Sequence, residues 1–145
     1  MQDFHVQPGE TAVFTKTVGE SDVYLFAGIT GDFAPNHVNR AFMARTRFGR
    51  LQAHGALMVG FMSTVAGMIA MRTPPEAGEV AVALGYDRVR FLAPVFLGDT
   101  VTTLYRVTAV DAGRRRATGA VEARNQDGTL VAVATHILAW VRNPE

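Results

Sequence analysis

Asp32 and His37, in the segment ITGDFAPNHVN, are the residues of this chain best suited to moving protons. A carboxylate and an imidazole in one short loop can converge if Pro35 bends the chain between them. Such a pair can take a proton from water while managing another at a reacting carbon. The spacing fits a plainer arrangement equally well, with Asp32 capping a turn and His37 solvated. A second region is AHGALMVG, where His54 and Gly55 stand at the start of an apolar run. A glycine that opens a helix offers an unpaired amide at the positive end of the helix dipole, which suits a developing oxyanion. It also lacks a side chain that would hold a substrate carbonyl away. Taken alone, such a glycine is better explained by close packing. Ser63, further along the same run, either bonds back to its own helix or reaches toward the acid–base pair.

The elements that must position these groups follow from the pattern of the chain. Thr11 to Val18 alternates weakly and predicts a strand. Ser21 is expected to cap a helix through VYLFAGI that stops near Gly31, with Asp22 at its positive end. Residues 31–39, rich in Gly, Pro, Asn and Asp, predict a loop, and Asn39 caps a short helix AFMARTRF ended by Gly49. The run Gly55 to Ala70 carries no charge, falls short of the roughly 20 residues that span a bilayer, and predicts a helix covered on all sides. PPEAG then breaks the helix. Strands are expected at Val80 to Phe91, Thr100 to Val110, Arg116 to Arg124 and Thr129 to Val141, with turns at 111–113 and 125–128. The class is α+β, in a single domain over 1–145: an antiparallel sheet wrapped around a long buried central helix. Such a sheet leaves an edge that pairing in a dimer would protect.

Composition narrows the possible functions. Lys plus Arg number 14 and Asp plus Glu 13, so no basic field points to nucleic acid. The absence of cysteine excludes disulfides, thiolate metal sites and a cysteine nucleophile. The start MQDFHVQPGE has neither a basic stretch nor an apolar run, so the expectation is a cytosolic protein with no membrane segment. His5, His37, His54 and His136 are scattered, with no i, i+4 pair of the zinc type, so no metal is expected. The sequence has no GxSxG nucleophile elbow.

FAGITGDFAPNHVNRAFMARTRFGRLQAHGALMVGFMSTVAG resembles the signature of the MaoC-like (R)-specific enoyl-CoA hydratases, proteins of the hotdog fold, and RVRFLAPVFLGDTV resembles their later strand segment. The chain departs from the family pattern at Ala34, where the family has Asn, and at Asn39, where it has Asp. The resemblance implies that Asp32 activates water and His37 is the partnering acid, acting on a trans-2-enoyl thioester. It also implies Gly55 as the oxyanion-hole amide, beside His54, Ser63 as a helix serine near the catalytic pair, and a homodimer joined edge to edge.

The expected activity is therefore hydration of a trans-2-enoyl thioester to an (R)-3-hydroxyacyl thioester, or the reverse. No cofactor is expected, since coenzyme A, or an acyl carrier protein, arrives with the substrate. The alternatives are a hotdog acyl-CoA thioesterase and a non-catalytic acyl-thioester-binding subunit, against which retention of both Asp32 and His37 argues. Arg88 and Arg90 alternate on one strand and so share a face, where they could hold the phosphates of coenzyme A. Two solvated arginines are the more ordinary reading.

Overall fold

In the computed structural model, which describes residues 4–144, five strands form one antiparallel sheet in the order β1-β3-β4-β5-β2. They are β1 (Thr11–Thr17), β2 (Glu79–Phe91), β3 (Thr100–Asp111), β4 (Arg116–Arg124) and β5 (Leu130–Arg142). Period-two alternation selects the buried face. On β3 Val101, Thr103, Tyr105 and Val107 point inward, and on β4 Ala117, Val121 and Ala123 do the same. Gly119 on β4 has no side chain because the Tyr105 ring lies across it, reaching His136 on β5.

The long helix α4 (Gly55–Ala70) lies on this face, as the uncharged run predicts. Met58, Phe61, Met62, Val65, Ala66 and Ile69 recur at helical spacing and bury one stripe against the sheet. The expectation of cover on all sides does not hold within one chain, since Ala56, Gly60, Ser63, Thr64 and Met68 are exposed on the far side. Five strands curl around one side of a helix only, and the small residues mark the side left open.

Three shorter helices precede α4, namely α1 (Glu20–Thr30), α2 (Pro35–Val38) and α3 (Arg40–Met43). Ser21 does not cap α1. Gly19 holds the cap position, and its amide donates to the Asp22 carboxylate at 2.8 Å, so Ser21 falls inside the first turn. Gly31 ends α1 in a left-handed conformation at φ 83°, which only a residue without Cβ adopts freely. The expected loop contains one helical turn, α2, because Pro35 at its start needs no amide partner. Asn39 caps α3 as expected, accepting from the Phe42 amide at 2.9 Å, but α3 stops at Met43 rather than running toward Gly49.

The segment after β2 returns along the start of α4. Ala53 donates to the Val95 carbonyl at 2.7 Å and Gln52 bridges Phe96, while the buried Asp99 accepts from the Phe96 amide at 2.8 Å. These bonds fix residues 92–96 as a wall beside the N-terminus of α4.

Candidate active site

Two backbone carbonyls orient the two histidines nearest the expected acid–base pair. His37 is buried and places Nδ1 2.8 Å from the Gln52 carbonyl oxygen. A carbonyl accepts only, so Nδ1 carries the proton and Nε2 is the nitrogen whose lone pair is left free. That Nε2 faces Asp32 Oδ2 at 3.9 Å, beyond a direct hydrogen bond and short enough for one water to touch both. His54, 2% exposed, donates from Nε2 to the Asp32 carbonyl at 2.9 Å. Its ring stacks on His37 with centroids 3.7 Å apart and an interplanar angle of 24°.

The loop is therefore held by its main chain. Gln52 N–H donates to the Asn36 carbonyl and His37 N–H to the Ala34 carbonyl, each at 2.9 Å, while Ala34 N–H donates to Asp32 Oδ1 at 3.2 Å. Asp32 thus does cap a turn, with its other oxygen turned toward His37. The plainer arrangement holds for Asp32 Oδ1 and fails for His37, which is buried rather than solvated.

Gly55 opens α4 with no side chain because the Phe91 ring already lies there. A Cβ on Gly55 would meet Phe91 Cδ2 and Cε2 at 2.8 Å. Gly55, His37, His54, Gln52 and Phe91 are among the residues lining a cleft of about 430 Å³, with residues 92–95 as one wall and Arg47 and Phe48 at another side. The first amides of a helix have no partner within it, so this cleft ends on hydrogen-bond donors beside two imidazoles.

Three expected residues stand elsewhere. Ser63 lies roughly 12 Å along the helix axis from Gly55, on the exposed side near Tyr86, and does not line the cleft. Within a single chain it does not reach the acid–base pair. Arg88 sits at φ 53° in an irregularity where the pairing of β2 with β5 shifts between Asp87 and Arg90. The strict alternation that puts Arg88 and Arg90 on one face is broken there. Arg90 turns back to donate to the Val89 carbonyl at 2.7 Å, and neither arginine lines the cleft.

The fold also gathers Asp32, His37 and His54 so that one donor atom from each lies within 4.8 Å of the others, a grouping that helical spacing rules could not detect. One nitrogen of each ring, His37 Nδ1 and His54 Nε2, is already held by a backbone carbonyl.

A sequence model described as the MaoC like domain matches residues 3–129. The chain belongs to that family. Among its MaoC-like relatives, the (R)-specific enoyl-CoA hydratase of Rhodospirillum rubrum is 41% identical over 105 residues, which cover 72% of this chain and 68% of that one. The enzyme of the same name from Aeromonas caviae is 34% identical over 125 residues, covering 86% and 88%. The solved structure of the (R)-hydratase from A. caviae involved in PHA biosynthesis superposes with a TM-score of 0.80 at 30% identity, covering 96% of this chain and 98% of that one. The architecture is accordingly the α+β hotdog, a sheet curled on one long helix. Residue spacing gave no sign of several parts of this MaoC-like site: the Gln52 carbonyl, the His54 bond to Asp32 and the Phe91 cover. Two act through the backbone, which every residue type shares.

Proposed function

We propose that the protein hydrates a trans-2-enoyl-CoA to the (R)-3-hydroxyacyl-CoA and catalyses the reverse dehydration. The observation that carries this reading is the 3.9 Å gap between Asp32 Oδ2 and His37 Nε2, beside the free N-terminus of α4. A water held in that gap is one proton transfer from attack. The Asp32 carboxylate takes a proton from the water as its oxygen bonds to the β-carbon. The α-carbon gains the Nε2 proton of protonated His37, and the carbonyl charge that builds between the two events rests on the Gly55 amide. Both groups approach from one side, which gives addition of H and OH to the same face. The proton on Asp32 then returns to His37 Nε2 to reset the pair. Every proton is accounted for by these side chains and one water, so the scheme calls for no metal or redox cofactor, and coenzyme A enters with the substrate.

The open side of α4 and the free edge of β2, with exposed Val80 and Leu84, support a homodimer in which a second copy covers them. Sedimentation should give a dimer; a stable, active monomer at micromolar concentration contradicts it. No helix among the described residues is long and apolar enough to cross a membrane.

Loss of the conjugated enoyl absorbance tests the reaction. Asp32→Asn and His37→Gln should each lower turnover by about 10²–10⁴ while the protein stays folded. Unchanged rates in either variant would falsify that residue's role. Release of free thiol without loss of the conjugated absorbance would favour the thioesterase reading instead.

A further inference from the structure

Residues 40–50, RAFMARTRFGR, hold four arginines and no acid in a chain whose net charge is +1. Arg40 is paired with Glu20 at 2.6 Å. Arg45, Arg47 and Arg50 are exposed, and among the described residues none has a carboxylate within ion-pair distance. Charges left in this state next to a cleft call for an anion.

Two of the three are held in place. The Arg50 guanidinium carbon lies 3.9 Å from the centroid of the Phe96 ring, and that of Arg47 lies 4.9 Å from the centroid of Phe48. A guanidinium resting on a ring face is restrained, yet its in-plane N–H donors stay free. Those donors match phosphate oxygens two at a time. Arg47 and Phe48 themselves line the cleft that holds His37 and Gly55, so the basic loop forms its mouth.

We infer that Arg45, Arg47 and Arg50 bind the phosphates of coenzyme A while its pantetheine arm runs into the cleft. The inference rests on the hydratase reading only for the identity of the thioester. Three guanidinium groups within six residues of chain, two of them restrained on aromatic rings, suit the clustered phosphates of a nucleotide. An acidic carrier protein would instead need a basic face broader than this one loop. The assignment moves the phosphates from Arg88 and Arg90, which stand outside the cleft lining, to a loop that reaches it.

Calorimetric titration with free coenzyme A and with pantetheine tests this without catalysis. The Arg45→Ala/Arg47→Ala double variant should bind coenzyme A at least tenfold more weakly than the parent at low salt and bind pantetheine unchanged. The difference for coenzyme A should narrow as salt is added, because ions screen exposed charge pairs. Arg114→Ala, at the distant β3–β4 turn, should match the parent for both ligands. Unchanged coenzyme A affinity in the double variant overturns the site. So does an equal loss for both ligands, or a parent that binds the two alike. If the double variant instead loses only activity on carrier-protein-bound substrate, with coenzyme A binding intact, the loop serves a protein partner and the proposal fails. A parent that binds coenzyme A through these arginines but never hydrates an enoyl thioester refutes the reaction and supports the site.

Discussion

Replacing Gly55 by alanine adds one methyl group and removes no donor, so it tests space at the N-terminus of α4. The backbone there is ordinary, because Gly55 is not among the glycines with positive φ, and alanine is a better helix former. The new Cβ would sit 2.8 Å from two atoms of the Phe91 ring, against about 3.5–4.0 Å for a relaxed carbon contact. Phe91 must therefore retreat by roughly 0.7–1.2 Å. It is 55% exposed and ends a strand, so it can swing toward solvent, and the stability loss should fall near the lower end of overpacking, about 1–2 kcal/mol. Activity should suffer more. The methyl stands beside the amide proposed to bear the carbonyl charge, and misplacement by about 1 Å costs about 10²-fold in turnover. Enoyl absorbance measures the rate and thermal denaturation the stability. In the Gly55→Ala/Phe91→Ala pair the crowding disappears, so the stability losses should be coupled by about 1 kcal/mol rather than adding. Additive losses, or Gly55→Ala with full turnover, would refute the reasoning that this glycine is kept bare for Phe91 and for a substrate carbonyl.

Three further outcomes are expected. His136 is fully buried and shares a 3.1 Å hydrogen bond with the Tyr105 hydroxyl; burial pushes its pKa down from 6.5 to about 4. The unfolded chain then takes up a proton that the folded one refuses. This contribution is complete above pH 6.5 and is lost as pH falls toward 4, by up to about 3 kcal/mol, a slope that His136→Gln should flatten in acid denaturation curves. His54→Phe keeps the stack on His37 and deletes the bond to the Asp32 carbonyl; turnover should drop about tenfold through a displaced Asp32, at a stability cost of about 1–3 kcal/mol, and equal turnover would remove His54 from the positioning scheme. Ser63→Ala changes an exposed residue and should alter stability by less than about 0.5 kcal/mol in urea titrations, so any fall in turnover reads a role in catalysis rather than in folding.

The parts of the fold that could be read in advance are those governed by local periodicity. Strand limits fall within about two residues of expectation, and the uncharged run gives α4 from its first residue to its last. Asn39 declares its cap because a short polar side chain must meet a nearby amide. Ser21 misleads because the helix is capped two residues earlier, at Gly19, whose own amide donates to the Asp22 carboxylate and leaves Ser21 inside the first turn. Arg88 misleads because alternation assumes an unbroken strand, while one left-handed residue resets the face of all that follow. The open side of α4 is hidden for a different reason: an uncharged run carries no polar stripe to mark which side the sheet leaves open.

At the catalytic loop, anchorage runs through carbonyls rather than through the side chains between them. Asp32 offers its own carbonyl to His54, Asn36 offers its carbonyl to Gln52, and Gln52 offers its carbonyl to His37. A carbonyl is the same in every residue, so none of these bonds depends on the side chain at Ala34. Residue number is what the loop cannot change. One residue inserted between Asp32 and His37 would shift every later carbonyl out of register, though each original side chain remained. Inheritance at this site should accordingly tolerate exchange of letters at 33, 34 and 36 and refuse any change in their number.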